Sequence, residues 1–308
     1  MRTAFSLSFL TILFLLLVIT CSQYETLLAE KKKIILKHAD TIEGEQTETG
    51  LYRSVIGNVV FLHDNITLKC DRVTDYGKEN KIVLIGNVFI SDNSVEIYGD
   101  NGVYYPDRKL GELSGHIRGR MVNNSIILKG QKAVVNKMTS QIWLYDNAVV
   151  WHEKKQISGD NIFLHIKEAT GNKNRRHIDE IQVNGHAFFM AADTLSLSPV
   201  VYDQLSSRKM VIYMSGNSNI TGITATTEAE SLYHLYNENR KFSGINYSSG
   251  NMIRMFFVDG IMKRVKVTGH VEGRQYPERF RGDSSINLSR FAWKGDEQPF
   301  KKQTSLPW

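Results

Sequence analysis

The chain has 308 residues, 42% hydrophobic and 23% charged, with 23 glycines, 5 prolines and 2 cysteines. It is too apolar and too poor in proline to be disordered, and two cysteines cannot staple a miniprotein. A single long apolar run excludes a polytopic membrane protein, and the formal charge of +6 suits an anionic partner without identifying one.

The apolar run comes first. Arg2 precedes a 15-residue stretch from Phe5 to Ile19, the length of an export signal and short for a membrane span. Residues 1–22 therefore read as a signal peptide. Its end, Val18-Ile19-Thr20-Cys21-Ser22, has a cysteine where a lipoprotein signal ends, with Thr20 before it larger than the usual Gly, Ala or Ser, so Cys21 is a candidate for lipidation. An ordinary cleaved signal and an uncleaved single anchor are the other readings. All three place the remaining chain, with a charge of +5, outside the cytoplasm. Cys70 is then the only free thiol; alternation puts it on an apolar strand face, as a small buried hydrophobe.

Residues 23–33, including Lys31-Lys32-Lys33, read as a solvated lead-in. From 34 to 293 a repeat organises the chain. Glycine steps recur at Gly57, Gly86, Gly115, Gly185 and Gly269, with Asp146 taking the place of glycine in one of them. Around each, apolar residues alternate: Val55, Leu84, Leu113, Leu144 and Val183 two before, and Val59, Val88, Ile117, Ala148 and Ala187 two after. Period 2 with many β-branched residues is the mark of a half-buried strand. A glycine at the same place in every strand predicts a sharp bend there.

A second strand follows each glycine strand. Ile66–Asp71 matches Val95–Asp100 and Ile126–Gln131, and the small residue before the Asp reads as a second corner. A third short piece is expected from Val73, Gly102, Ala133 and Ile162. Between Gly185 and Gly269 the period blurs, with Gly222 and Gly244 as candidates for the missing repeats. Residues 294–308, polar with two prolines, read as a loose tail. The predicted fold is all-β: stacked rungs forming an open β-jelly roll or β-solenoid with an apolar trough and exposed terminal edges.

No catalytic residue, cofactor or metal site is predicted. The nucleophile, dinucleotide, phosphate-loop and zinc motifs are missing from the sequence. His116, His186 and His270 fill the slot of Asn58, Asn87 and Asn147, one per rung, whereas a metal needs converging ligands. They read as polar residues bonding at the bend, and Asp71, Asp100 and Asp160 as turn residues. Aromatic residues are not clustered with Arg or Lys, which argues against a nucleic-acid face.

The ordered series of Gly-Asn-Val steps at Gly57 and Gly86, the strand from Ile66 to Val73, and the later Ile181–Ala187 and Val265–Val271 resembles the OstA/LptA family of lipopolysaccharide-transport proteins. The resemblance spans residues 34–280. It implies a non-enzymatic, periplasmic, twisted β-jelly roll that cradles lipid A acyl chains and carries lipopolysaccharide toward the outer membrane of a Gram-negative cell. Partners implied are lipopolysaccharide, other jelly-roll transport proteins joined by edge-strand addition, and second copies of the chain. The lipid-binding candidates are Val59, Phe61, Leu84, Val88, Ile90, Ile117, Leu144, Ala148, Val150, Val183, Ala187 and Phe189. The small residues Gly102, Gly119, Ala133, Ala148, Ala187 and Gly273 are expected to leave room for the ligand, with Lys69 and Lys129 outside, near its headgroup. The length and Cys21 also fit the membrane-anchored inner component of the same bridge, tethered through Cys21 or an uncleaved signal. The reading from another class is a closed structural β-solenoid, an envelope scaffold or adhesin-like protein whose interior is only core.

Overall fold

The computed structural model describes residues 34–300, except Thr49, 76–79, Asn93, 122–125, 170–171, Leu197 and Asn217. The predicted signal with Cys21, the lead-in and residues 301–308 lie outside the described residues.

Alternating burial builds the strands. The first are β1 (Ile35–His38), β2 (Thr41–Thr47), β3 (Gly50–His63), β4 (Ile66–Asp75), β5 (Ile82–Ser91) and β6 (Val95–Tyr105). Next come β7 (Leu110–Met121), β8 (Ile126–Asn136), β9 (Gln141–His152), β10 (Lys155–Ala169) and β11 (Asn172–Ala192). The last are β12 (Tyr202–Met214), β13 (Ile220–Tyr236), β14 (Phe242–Val258), β15 (Ile261–Thr268) and β16 (Glu272–Tyr276). They join in one antiparallel meander in chain order, with β1 and β2 both on β3 and β15 and β16 both on β14. It is an open sheet, not a closed barrel, folded as a β-jelly roll.

The sheet is folded along one line. In β5, Leu84 and Val88 are both inside, and the intervening Gly86 and Asn87 take positive φ, 75° and 45°. Opposite this pair the register slips by one residue against both β4 and β6. The same left-handed pair recurs at Gly57-Asn58, Gly115-His116, Asp146-Asn147, Gly185-His186, Thr227-Glu228 and Gly269-His270. On the alternate strands the corner holds Asp71, Asp100, Asp160 or Asn251, and each bonds the second residue of a left-handed pair. Asn87 Nδ2 donates to Asp71 Oδ2 at 2.9 Å, and His116 Nδ1 lies 2.7 Å from Asp100 Oδ2. His186 Nδ1 stands 2.9 Å from the Asp160 carboxylate, and His270 Nδ1 3.4 Å from Asn251 Oδ1. Asn58 donates to Asp40 at 3.2 Å between β1 and β2. Where glycine is missing, ion pairs take over: Lys132 with Asp146 at 3.2 Å, and Arg208 with Glu228 at 2.7 Å.

The line divides every long strand into two arms and the sheet into two leaves. The first leaf contains 50–56, 72–75, 82–85, 101–105, 110–114, 132–136 and 141–145; the second contains 59–63, 66–70, 88–91, 95–99, 117–121, 126–130 and 148–152. Their apolar faces meet in one continuous core running from Val55 to Met255.

Four expectations change. The second corner and the third piece are not separate features: Asp71, Asp100 and Asp160 lie on the same fold line as the glycines, and each unit is a long bent strand. The missing repeat is centred on Thr227-Glu228, at φ of 66° and 55°, while Gly222 and Gly244 lie off the line. The small residues do not leave space. A Cβ on Gly102 would stand 3.0 Å from the Glu112 carbonyl, and one on Gly119 3.0 Å from the Glu96 carbonyl, so neighbours already fill those two positions. Finally, the strands end at Tyr276, and residues 294–300 are held rather than loose. The segment after Tyr276 runs back over the outer face of the second leaf. Asn287 accepts from Gln204 at 2.6 Å, the Ala292 carbonyl accepts from Gln156 at 2.9 Å, and Glu297 pairs with Lys129 at 2.7 Å. Phe300 ends this strap against Tyr98 and Arg120. Beneath it Phe188, Met190, Leu232, Ile245 and Leu288 form a second, smaller core.

The fold line makes a contrast between glycines testable. A Cβ on Gly86 would sit 2.3 Å from Asp71 Oδ2 at a φ of +75°, whereas one on Gly222 meets nothing closer than 3.6 Å at an ordinary φ. Gly86→Ala should lower stability by about 2 kcal/mol or more through left-handed strain and the displaced carboxylate. Gly222→Ala should be neutral or slightly stabilising. Urea unfolding of both variants checks this, and equal costs would refute the fold-line assignment.

Candidate functional site

The twelve candidate residues come together in the interior. Leu84, Leu144 and Val183 project from the first leaf, and Val59, Phe61, Val88, Ile90, Ile117, Ala148, Val150, Ala187 and Phe189 from the second. Apart from Phe61, which is half-buried, they are between 0 and 6% exposed. Cys70 lies among them, its thiol pushed up to about 12 by burial. The interior is thus a long apolar layer, closed at the fold line by the backbone itself.

The opposite edge is closed differently. Hairpin turns of the two leaves meet there through charge. Lys109 Nζ, in the β6–β7 turn of the first leaf, lies 2.5 Å from Asp64 Oδ2 in the β3–β4 turn of the second. Lys137, in the β8–β9 turn, pairs with Asp92 in the β5–β6 turn. Arg176, on β11 in the first leaf, reaches the same Asp92 oxygen at 2.6 Å and Ser140 at 3.3 Å. Tyr104 Oη and His63 Nδ1, 2.7 Å apart, tie the leaves just inside this row.

A slit of about 30 Å³ opens at this edge, under Asp92, Lys109, Lys137 and Arg176. Its walls are Ile66, Ile90, Val95, Ile97, Val135, Ile142 and Ile166. Here the apolar interior approaches the surface. Asp92 is only 9% exposed and Arg176 8%. Burial alone would raise the Asp92 carboxyl, but Lys137, the Ser94 amide and Arg176 together hold it below the usual carboxylate range.

This rim was missed from sequence because its members stand in turns, where Asp and Lys are common for local reasons. One signal was available. Asp64 to Lys109 and Asp92 to Lys137 are both separated by 45 residues, the same opposite charges at the same spacing. By contrast Lys69 and Lys129 lie on the outer face, Lys69 over the Phe89 ring and Lys129 bonded to Glu297, away from the slit. Among the described residues, no group of three or more His, Cys, Asp and Glu is placed to hold a metal ion. Each fold-line histidine instead faces one Asp or Asn.

Residues 31–162 match the family described as OstA-like protein. Comparison with curated proteins gives no match. Among solved structures, the chain is similar to LptH, the LptA-homologous periplasmic component of the lipopolysaccharide transport device of Pseudomonas aeruginosa. The likeness is 10% identical, covers 50% of this chain and 96% of that one, and has a TM-score of 0.36.

Two measurements probe this environment. Because the folded Asp92 carboxyl titrates below its unfolded value, its ion pairs stabilise fully above about pH 4 and lose that contribution as the pH falls through the folded value. Urea midpoints between about pH 5 and pH 3 should therefore fall more steeply for the natural chain than for Asp92→Asn. Parallel slopes would show that the pair carries no such linkage. Cys70, in protein starting at residue 23, should resist iodoacetamide at about pH 8 until the chain is unfolded; prompt labelling of folded protein would show an open interior.

Proposed function

On the premise that residues 31–162 are an OstA-like domain, we propose that the protein is a non-enzymatic carrier of the periplasm. It holds the acyl chains of lipopolysaccharide between its leaves and passes them toward the outer membrane. The observation that carries this reading is the continuous apolar layer, which approaches the surface at a slit rimmed by charged residues. Transfer of each methylene into such a layer is favourable by about 0.8 kcal/mol, so affinity should follow chain number and length far more than salt. Among the described residues no further strand pairs with the outer sides of β1–β2 and β15–β16, and these edges suit strand addition by a similar jelly roll or a second copy.

A second reading has an observation of its own. Val59, Leu84, Val88, Leu144 and Ala148 are all at 0% exposure, as in a closed structural β-solenoid. The two readings differ in whether the leaves separate.

Photo-crosslinkable residues at Phe61 and Ile90, compared with Asn58 and Lys69, decide between them in an envelope preparation. The carrier reading expects lipopolysaccharide adducts from Phe61 and Ile90. Adducts confined to Asn58 and Lys69, on the outside, would overturn it and leave the structural solenoid standing.

A further inference from the structure

The closed interior poses a problem for any acyl ligand. The slit holds about 30 Å³, room for a few water molecules and far too little for an acyl chain, so chains can enter only if the leaves part. We propose that the edge opposite the fold line is a lateral gate. Asp64–Lys109 and Asp92 with Lys137 and Arg176 hold it shut, and an amphiphile with an anionic headgroup opens it by replacing the two carboxylates on the three cations. This rests on the carrier reading and adds to it a headgroup site and a route of entry.

The charges are sorted for the purpose. Both acids stand on the second leaf and all three bases on the first, so every ion pair of the row crosses between leaves. A buried ion pair is a poor way to hold two apolar layers together. Apolar residues of similar size usually hold as well or better, whereas removing one partner leaves a buried charge that is very unfavourable. What such a pair offers is exchange: an incoming anion can satisfy the cations that a departing carboxylate leaves. Asp92 is built to depart without unravelling its hairpin. Its Oδ1 accepts from the Ser94 and Val95 amides at 2.8 and 3.0 Å and shapes the turn. Its Oδ2 alone faces Lys137 and Arg176.

The two leaves also differ in what braces them. The strap after Tyr276 touches Gln204, Gln156, Lys129, Tyr98 and Arg120, all on the second leaf. That leaf is clamped across its strands from β14 to β6. Among the described residues, the bonds seen at this edge of the first leaf include the gate pairs, the Tyr104–His63 bond, and two backbone bonds that join its own turns, from Lys137 N to the Lys109 carbonyl and from Ile166 N to the Ser140 carbonyl. The first leaf therefore swings about the fold line while the strapped leaf stays still.

The test is stopped-flow uptake of the fluorescent fatty acid cis-parinaric acid and of its uncharged methyl ester by the full exported chain. Asp64→Asn/Asp92→Asn and Lys109→Gln/Lys137→Gln both break the row, so both should take up either probe about tenfold faster than the natural protein. They should differ in preference. The variant that keeps the cations should retain or increase its preference for the acid over the ester. The variant that loses two of the three cations and keeps only Arg176 should show a clearly weaker preference, an effect that mere loosening does not produce. Circular dichroism confirms that the variants fold, and Lys109→Gln alone, at the more exposed pair, serves if a double variant does not. Uptake rates unchanged in every variant, with crosslinks from Ile90 still forming, would show entry from an end of the sheet; the gate would fall and the carrier reading stand. No uptake by any of the proteins would overturn both.

Discussion

The structure depends on one repeated hydrogen bond, between a corner carboxylate or amide and the second residue of a left-handed pair on the next strand. Two successive residues at positive φ turn the chain sharply, and for ordinary side chains that conformation is unfavourable by about 1–2 kcal/mol per residue. The sequence meets the demand with glycine first and Asn or His second, types that tolerate it best. The carboxylate then occupies the place a Cβ would need: at Gly185 it would lie 2.2 Å from Asp160 Oδ2. Glycine is thus required twice at one atom, for its backbone angle and for the close approach. Each bond is exposed and contributes little alone. Alignment from strand to strand is what makes them a fold line, since one slipped register would move every apolar side chain to the wrong face.

A sheet folded once must bury its inner face against itself. The two leaves can approach closely because small residues stand opposite large ones, Gly111 against Ile90 and Gly159 against Val183. This removes the trough as a preformed cavity. Tight packing is the default for an apolar interior, because a void forfeits dispersion contacts on both walls. A carrier built this way stores its capacity as two surfaces that can part rather than as an open channel. The ligand supplies the apolar contacts that the leaves give up.

The strands and their inward residues were legible because period-2 alternation is a property of single strands, and each of the twelve candidates alternates correctly around its own glycine or, for Leu144, Ala148 and Val150, around Asp146. The fold line was half legible. Gly57, Gly86, Gly115, Gly185 and Gly269 stood out, and Asp146-Asn147 followed from its place in the repeat, but Thr227-Glu228 adopts the same angles without a leading glycine, held by Arg208 from the neighbouring strand. Asp71 and Gly86 read as two corners because they are far apart in sequence, and only strand pairing places them side by side. The rim escaped for the same reason. Asp92 and Arg176 are 84 residues apart, and a cross-leaf contact of that range follows from how the sheet closes, which no local pattern encodes. The strap escaped because its sequence is polar and irregular, and what holds it are single side chains such as Gln156 and Gln204, which follow no periodic pattern.

The two edges of the folded sheet are therefore unlike in a way that bears on mechanism. At the fold line the leaves are joined by continuous backbone in every long strand, so separation there would require unfolding. At the other edge, side chains on hairpin turns make the connection, and turns can shift without disturbing the ladders behind them. The strap runs over one leaf only, so the remaining freedom is a rotation of the other about the fold line. Hinge, brace and clasp fall on three different parts of the molecule. On the proposed carrier reading, the apolar interior supplies affinity, the clasp selects what enters, and the ladder of strands is unchanged by the passage.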